Sequence, residues 1–336
     1  MYLLTLSEGS RICMQRQLTF GGGVSPRGTL LRGQSIIEYV LIIAVIGLVI
    51  VFAGPGVAGA IRNQFNLVGN TVNNGTTGGV ESGGASGGGS AGADSATVQA
   101  AVAKDAKDWT LEEQKAVAED IAKDGTASLA YAKAKAAMDA GTKFSVKLTN
   151  GETLEYRIVG INHDDLADGT GKAGLTFEAT NGAMGKQRMS DSYYNFGGWE
   201  QSELRGRLNS GDLWALLPAE IQSRAKAVTK MTDNKLDTYP GTVTATTDKV
   251  FLLSTTEVYG NLQANGHLQS DGSQYEYYAF KGVTQEKFSG ASSGSSHWTR
   301  SVCLDGSQYF RYVHSNGDWS NHGYTATDFV FPAWCF

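Results

Sequence analysis

The stretch KFSVKLTNGETLEYRIVGI, residues 143–161, decides the fold of the C-terminal part of this 336-residue chain. Its two arms alternate apolar and polar residues with a period of two, which is typical of half-buried β-strands. Between the arms stands Asn150-Gly151, a strong short-range signal for a hairpin turn. The stretch therefore predicts an antiparallel hairpin at the start of a module that covers residues 142–336.

The rest of this module has the pattern of an α+β fold built from short helices and strands. We expect a helix over residues 200–208, a second over residues 218–228 and a buried strand over residues 248–254. Near the C-terminus, FRYVHSNGDWS places Asn316-Gly317 between two short runs of alternating residues. This arrangement predicts a second hairpin.

Residues 97–141 precede the module and are rich in Ala, Lys, Asp and Glu at helical spacing. Thr110 followed by Glu113 fits a capping box, and Trp109 stands where a staple residue packs. Gly125 and Gly141 stand where helices end. We predict two or three amphipathic helices and assign them as a helical stalk, with packing onto the following domain as the alternative.

Residues 69–96 form a tract of Gly, Ser, Thr and Asn with almost no apolar side chain to bury. Such a composition favours a flexible linker. The linker separates the C-terminal parts from a very different N-terminal segment.

The N-terminal segment contains a long apolar run. From Ile36 to Ala60 the only charged residue is Glu38. A helix of that length exceeds the roughly 30 Å of a bilayer's hydrocarbon core, so the run predicts a transmembrane helix within residues 34–68. Only Arg62 closely follows the span, whereas four arginines precede it, at positions 11, 16, 27 and 32. The positive-inside rule then keeps the N-terminus cytoplasmic and places the body outside the membrane.

The charge of the body excludes one class of partner. Removing residues 1–33 takes away four arginines and one acid, which changes the formal net charge from −5 to −8. Binding to nucleic acid needs clustered Lys and Arg to neutralise phosphates. We therefore expect no nucleic-acid partner.

The three cysteines fit an oxidising compartment. Cys13 lies before the span, which leaves Cys303 and Cys335 as an even pair in the outer part of the chain. We expect a disulfide between them, with two buried free thiols as the alternative.

Glu38 requires an explanation, because a carboxylate in the bilayer is costly unless it is paired or hydrated. It follows Gly33-Gln34 by four residues, precedes Tyr39 and stands behind a basic leader. This arrangement resembles the processing site of Flp-type prepilins, the pilins of tight-adherence (Tad) pili. The resemblance implies that a prepilin peptidase removes residues 1–33 by cutting between Gly33 and Gln34. It also implies that Glu38 pairs with the new α-amine of a neighbouring pilin subunit.

The resemblance implies a bacterial membrane precursor that matures into a cell-surface or pilus protein. The large body after the span favours a minor or tip subunit over a shaft pilin. The alternative is a membrane-anchored surface binding protein that does not assemble, with Glu38 hydrated at the interface. The start of translation is open between Met1 and Met14.

Four segments of the module, INHDDLADGTGKAGLTF, GGWEQSELRGRLN, DKVFLLSTTEVYG and HWTRS, resemble in type and order a bacterial domain family of unknown function, DUF6273. We expect this domain over roughly residues 142–336. The order of elements is also similar to a C-type-lectin-like fold, which implies that the terminal strands pair and that a long irregular region presents ligands.

Residues 297–336 contain ten aromatic residues, or 25% against 10% in the whole chain, and neither Lys nor Glu. Rigid rings among short polar side chains are the composition of a paratope. The alternative, a buried aromatic core, applies to the closing segment 329–336. The predicted ligand-binding residues are Ser307, Tyr309, Arg311, His314, Asn316, Asp318, Trp319, Asn321, His322 and Tyr324. We expect the ligand to be a protein or a glycan on another cell.

Residues 301–328 are also similar in composition to the variable segments of proteins diversified by retroelements. That resemblance implies that the C-terminal surface is hypervariable.

Motifs for other chemistry are weak. His163-Asp164-Asp165 with Asp168 suggests calcium, but Leu166 stands where an EF-hand needs a ligand, and a polar turn is the preferred interpretation. His297, His314 and His322 lack metal-ligand spacing. The chain contains no nucleophile elbow, P-loop or dinucleotide motif. We expect no enzyme, cofactor or metal, and a hydrolase or lyase with a degenerate site is the third class of function.

Overall fold

The computed structural model describes residues 91–191, 197–235, 242–260, 271–303 and 309–336. The predicted leader, cleavage site and transmembrane span lie outside these residues, as do most of the linker and Ser307. No helix among the described residues combines the length and the apolar character that a bilayer crossing requires. The described part is a mixed α+β structure whose C-terminal region is rich in sheet.

In the described part of the chain, three α-helices precede the first strand, and predicted residues stand at the start or end of the second and third. They are α1 (Ala91–Ala103), α2 (Leu111–Asp124) and α3 (Tyr131–Ala140). At the start of α2 the Glu113 backbone N–H donates to Thr110 Oγ1, and the Thr110 N–H donates to the Glu113 carboxylate, which confirms the capping box. Gly141 ends α3 in the left-handed region at φ 67°, a conformation that glycine adopts without strain.

These helices pack on the sheet that follows them. The Trp109 ring stacks on Phe144 with 6.3 Å between centroids, and the Tyr156 hydroxyl donates to the Gln114 side chain at 3.1 Å. Val117 and Ile121, on the inner face of α2, are fully buried. Packing onto the domain, rather than a free stalk, is therefore the arrangement that these contacts show.

The strands of the described residues fall into three sheets. They are β1 (Lys143–Lys147), β2 (Thr153–Ile161), β3 (Leu175–Ala179), β4 (Lys186–Gln187), β5 (Val228–Lys235), β6 (Thr242–Asp248), β7 (Val250–Phe251), β8 (His297–Val302), β9 (Tyr309–Val313), β10 (Trp319–Gly323), β11 (Asp328–Phe329) and β12 (Ala333–Cys335). The sheet orders are β1-β2-β3-β12-β7, β10-β9-β8-β11-β4 and β5-β6.

Both predicted hairpins are confirmed. β1 pairs with β2 in antiparallel fashion around Asn150-Gly151, with Phe144 opposite Tyr156. β9 pairs with β10 around Asn316-Gly317, where Gly317 has φ 93°. Residues 148–152 and 314–318 connect the paired strands, and Gly151, like Gly317, has a positive φ, here 88°.

The expected pairing of terminal strands is wrong. The last strand, β12, lies between β3 and β7, while β1 is the edge strand of the same sheet. β2 and β3 separate the first strand from the last, because the β1-β2 hairpin and the β2-β3 pairing fill that half of the sheet.

The remaining helices are short: α4 (Gly198–Gln201), α5 (Glu203–Ser210), α6 (Asp212–Leu216), α7 (Ala219–Arg224), α8 (Thr255–Tyr259) and α9 (Glu276–Phe280). The helix predicted over residues 200–208 is divided, because Ser202 ends α4 and its hydroxyl caps α5. The helix predicted over residues 218–228 ends at Arg224, and Val228 already belongs to β5. The strand predicted over residues 248–254 is shorter in the structure and consists of β7 alone. It cannot continue to Ser254, because Ser254 is the N-cap of α8.

The core of the first sheet is aromatic. Trp334 packs against Tyr156 and Phe177 at centroid distances of 4.9 and 5.9 Å, and Phe336 meets Phe177 at 5.3 Å. These rings are at most 2% exposed. The buried-core interpretation of the closing segment therefore holds for Trp334 and Phe336.

Candidate functional site

The β9-β10 hairpin carries most of the predicted ligand-binding residues, but it divides them between two faces. Asn321 stands opposite Arg311, and His322 stands opposite Phe310. Residues directly opposite each other in an antiparallel pair project from the same face, and neighbours along a strand project from opposite faces. The predicted residues therefore do not share one surface.

The first face, which we call the Tyr309 face, consists of Tyr309, Arg311, Trp319 and Asn321. The Tyr309 side chain is 43% exposed, whereas Arg311 is 3% exposed. The Arg311 guanidinium lies over the Trp319 ring at 4.3 Å from its centroid, a cation–π contact. The buried Arg311 side chain thus packs against the half-buried Trp319, and Tyr309 is the exposed side chain of this face.

Asn321 stands beside these aromatic residues and is half-buried. Its side-chain Oδ1 accepts no hydrogen bond from the residues that the structure describes. A buried acceptor of this kind is usually satisfied by water or by a ligand. The Tyr309 face therefore combines an exposed aromatic ring with an unused amide acceptor.

The second face, the His322 face, consists of His322, Tyr312 and Trp298. The His322 ring stacks on Tyr312 with 3.9 Å between centroids, and its Nδ1 is bonded to the Asp328 carboxylate. Trp298 meets Tyr312 edge to face at 6.5 Å. The prediction omitted Tyr312, Trp298 and Asp328.

The turn residues mainly build the turn. The Asn316 side chain accepts from the Asp318 N–H at 3.0 Å, and the Asp318 carboxylate accepts from the Trp319 N–H at 2.8 Å. His314 is exposed at the start of the turn. Tyr324 is 2% exposed, so burial removes it, like Arg311, from the surface that a ligand reaches.

The predicted disulfide between Cys303 and Cys335 is wrong. Cys335 lies in β12 of the first sheet as a buried thiol, whereas Cys303 follows β8 in the second sheet. The Cys335 Sγ lies 3.4 Å from Thr176 Oγ1 and 3.5 Å from Asp164 Oδ2. Burial raises the pKa of this thiol well above its ordinary value, and the nearby Asp164 charge raises it further.

A buried ionic cluster lies next to this thiol. Lys230 Nζ is 2.6 Å from Asp164 Oδ1 and 2.5 Å from Glu257 Oε1. The Arg300 guanidinium contacts both oxygens of Glu257, and the Tyr275 hydroxyl donates to Asp164 at 2.8 Å. All four charged side chains are at most 3% exposed.

The members of the cluster stay ionised. Burial alone raises the pKa of Asp164, but the Lys230 charge outweighs it and holds the pKa well below the ordinary value. The pKa of Glu257 is likewise lowered against burial, by the charges of Arg300 and Lys230. Every charge in the cluster has a partner of opposite charge, and none is accessible to solvent. We therefore interpret the cluster as structural: it joins the strands and the helix that carry its residues.

The aspartates that suggested a calcium site lie in different surroundings: Asp164 belongs to this cluster, and Asp168 belongs to a turn. Asp164 contacts Lys230, while Asp165 forms an exposed ion pair with Lys172. The Asp168 carboxylate accepts from the Thr170 N–H and hydroxyl at 3.0 and 2.7 Å. The arrangement around Asp168 is the polar turn that the sequence favours. Across the described ranges, no group of three or more His, Cys, Asp or Glu side chains is positioned to hold a metal ion.

The fold and the hairpin define an α+β module that presents an aromatic and amide surface on an edge hairpin. The model of a family described as a domain of unknown function, DUF6273, matches residues 170–336. This part of the chain is therefore a DUF6273 domain, which confirms the resemblance over those residues. Neither a curated protein nor a solved structure matches the chain.

Proposed function

We propose that this protein is a cell-surface subunit whose C-terminal module is a ligand-binding head and whose contact surface is the Tyr309 face. The observation that supports this proposal most directly is the exposure of the Tyr309 side chain. Among the described residues, four large apolar side chains are exposed, and Tyr309 is the one in the second sheet. Its neighbours in β9, Phe310 and Tyr312, are buried.

The chemistry of this face suits a protein or glycan ligand. Tyrosine offers a large amphipathic contact area and loses little conformational entropy on binding. The Arg311 contact holds Trp319 in one orientation before a ligand arrives, which lowers the ordering cost of binding. Asn321 adds a directional acceptor that a hydroxyl or amide of the ligand satisfies.

The head is carried by the N-terminal segment as a minor or tip pilin-like subunit. In this proposal a prepilin peptidase cuts between Gly33 and Gln34, and Glu38, beside Tyr39, pairs with the N-terminus of another pilin subunit. The precursor spans the membrane, and the mature protein reaches the surface. This part of the proposal is supported by the sequence pattern alone.

The resemblance to C-type-lectin-like and retroelement-diversified proteins fits the same head. The segment similar to variable regions, residues 301–328, contains both strands of the β9-β10 hairpin. Variation there changes the Tyr309 face while the closing strand β12 and the buried cluster keep the fold. Sequencing the gene from related isolates tests this point, because diversification predicts changes confined to adenine-containing codons of the segment.

Mass spectrometry of the mature N-terminus separates the proposed subunit from a plain membrane anchor. A chain that begins at Gln34 supports the pilin-like subunit, and a chain that keeps its leader supports the membrane-anchored alternative. Glu38→Ala then tests assembly. The proposal predicts normal cleavage with loss of the protein from sheared surface filaments, and unchanged filament content contradicts it.

A further inference from the structure

A histidine, a serine and a glutamate are in contact beside the start of α9. His163 follows β2, Ser273 lies just before α9, and Glu276 is the first residue of that helix. The His163 Nδ1 lies 3.1 Å from Glu276 Oε1, and its Nε2 lies 3.3 Å from the Ser273 hydroxyl oxygen. The two ring nitrogens therefore connect a carboxylate to a hydroxyl through the imidazole.

The chemistry of the two partners fixes the role of each ring nitrogen. A carboxylate only accepts hydrogen bonds, so the Nδ1 of His163 donates its proton to Glu276. In the neutral ring Nε2 is then the acceptor, and the Ser273 hydroxyl donates to it. A hydroxyl that donates to an imidazole oriented by a carboxylate is the arrangement that activates a serine nucleophile.

The surroundings hold the His163 ring in this orientation. The ring stacks on Tyr275 with 4.0 Å between centroids, and the Tyr275 hydroxyl donates to Asp164 at 2.8 Å. Gly160 leaves room for the stack, because a Cβ there would lie 2.7 Å from Tyr275 Cδ1 and 3.0 Å from His163 Cβ. A base whose orientation is fixed by packing does not have to be ordered when a substrate arrives.

The histidine is shielded, whereas the serine is open to solvent. The His163 side chain is 9% exposed, and Ser273 is exposed, so a substrate reaches the hydroxyl without opening the core. Burial alone would lower the pKa of His163. The hydrogen bond to Glu276 and the charges of Asp164 and Glu257 outweigh burial and raise this pKa above its ordinary value. The ring is therefore well suited to accept the serine proton.

We propose that Ser273, His163 and Glu276 form a serine hydrolase site that cleaves carboxylic esters. Ser273 Oγ bonds to the ester carbonyl carbon and its proton moves to His163 Nε2. The bond from that carbon to the alcohol oxygen then breaks, and the alcohol leaves with the proton. Water next gives a proton to His163 and attacks the acyl-serine. The carboxylic acid leaves, and the proton returns to Ser273 Oγ.

In this site Ser273 and His163 are the catalytic residues, and Glu276 is a positioning residue. The inference departs from the expectation of no enzyme and takes up the hydrolase class, the third alternative. Sequence motifs did not indicate the site, because Ser273 is not in a nucleophile elbow and stands 110 positions from His163. The site does not depend on the function proposed for the Tyr309 face.

The first test is labelling of the purified full-length protein with a fluorophosphonate probe, read by peptide mass spectrometry. The Ser273 oxygen displaces fluoride from phosphorus while His163 takes up the hydroxyl proton, so we expect the label on Ser273. Ser273→Ala is expected to lose this label. Ser223→Ala is the matched control with wild-type labelling, because Ser223 is an exposed serine whose hydroxyl donates to the Glu220 carbonyl.

The second test is hydrolysis of p-nitrophenyl acetate by the same proteins. In Ser273→Ala we expect kcat/KM to fall about 100-fold or more, with an unchanged Tm because the residue is exposed. Glu276→Gln is expected to lower kcat about tenfold or more with KM nearly unchanged. It is also expected to move the midpoint of the pH profile of kcat/KM to lower pH, since Glu276 raises the pKa of His163.

A wild-type protein that carries no label on Ser273 overturns the proposal. Ester hydrolysis by the wild type that is no faster than hydrolysis by Ser273→Ala also overturns it. If Glu276→Gln keeps both the wild-type kcat and the wild-type pH profile, the role assigned to Glu276 is refuted, and its contact with His163 is only structural.

Discussion

The Arg300 guanidinium and the Glu257 carboxylate form a two-pronged ion pair in the interior, with Arg300 Nη2 donating to Oε1 at 2.8 Å. Both side chains are at most 1% exposed. Arg300 comes from β8 and Glu257 from α8, and Lys230 of β5 joins the same carboxylate. One carboxylate therefore links three separate parts of the module.

Arg300→Met is expected to destabilise the protein by about 3–5 kcal/mol, because breaking one side of a buried pair leaves an uncompensated charge. Denaturant unfolding of the full-length protein measures the loss. Arg188→Met is the matched control, because Arg188 forms an exposed pair with Asp191. Its cost is expected to stay within about 1 kcal/mol. Similar small losses in both variants would show that the cluster does not stabilise the fold.

The ring of His297 gives a pH-dependent prediction. It is stacked on Phe331 at 4.1 Å, and burial lowers its pKa to about 4. The unfolded chain takes up this proton near pH 6.5, so stability is lost as the pH falls from about 6.5 to about 4. His297→Phe removes this loss. Relative to the wild type, the variant is expected to gain up to about 3 kcal/mol across that window.

Denaturant unfolding of both proteins between pH 4 and pH 8 measures the difference. The raised pKa of Asp233 changes stability with pH in the opposite direction to that of His297. This contribution is the same in both proteins, so it drops out of the difference between them. A difference that does not change with pH would mean that folding does not lower the pKa of His297.

Gly174 tests the packing of α2 on the module. A Cβ at this position would lie 1.8 Å from the Ala118 carbonyl oxygen in the helix backbone. Gly174→Ala is expected to cost about 3 kcal/mol or more, because the helix must move away. In α5, a Cβ at Gly206 meets no atom within 4 Å, so Gly206→Ala is expected to stabilise by about 0.5–1 kcal/mol. Thermal unfolding compares the two, and a mild effect at Gly174 would argue against this packing.

The Cys335 thiol provides a chemical prediction. Because the thiol is buried and its pKa is raised, we expect no alkylation of Cys335 in the native protein. After unfolding in denaturant without a reductant, it is expected to react fully. Peptide mass spectrometry reads the modification at this residue. If Cys335 reacted only after a reductant was added, it would be part of a disulfide in the native protein, and this prediction would be contradicted.

The features that the sequence predicted correctly are local. The capping box at Thr110 and the two Asn-Gly hairpins depend on residues a few positions apart, where backbone propensity and hydrogen bonding decide. The register of β9-β10 was not readable in this way, because residues 314–318 connect the strands and Arg311 stands opposite Asn321, whereas a two-residue turn at Asn316-Gly317 would place Arg311 opposite His322.

The features that were missed depend on distant parts of the chain. β12 enters the sheet between β3 and β7, strands that are far from it in sequence. Lys230 binds Asp164, which lies 66 positions away in the sequence. No local sequence pattern around either residue indicates this pairing. The two cysteines formed an even pair by count, but Cys335 lies in β12 of the first sheet, whereas Cys303 follows β8 of the second. The helix prediction also failed after Arg224, where the helix ends, and Val228, its predicted last residue, pairs with Asp248 of β6.

The central claim is that the Tyr309 face binds a ligand on other cells. The most direct measurement is binding of labelled full-length protein to a panel of intact cells by flow cytometry. Tyr309→Ala is expected to reduce the binding by about tenfold or more, as the loss of an interface anchor does, while His322→Ala on the opposite face leaves it unchanged. Binding by Tyr309→Ala at the wild-type level, or no binding to any cell by the wild type, would contradict the claim.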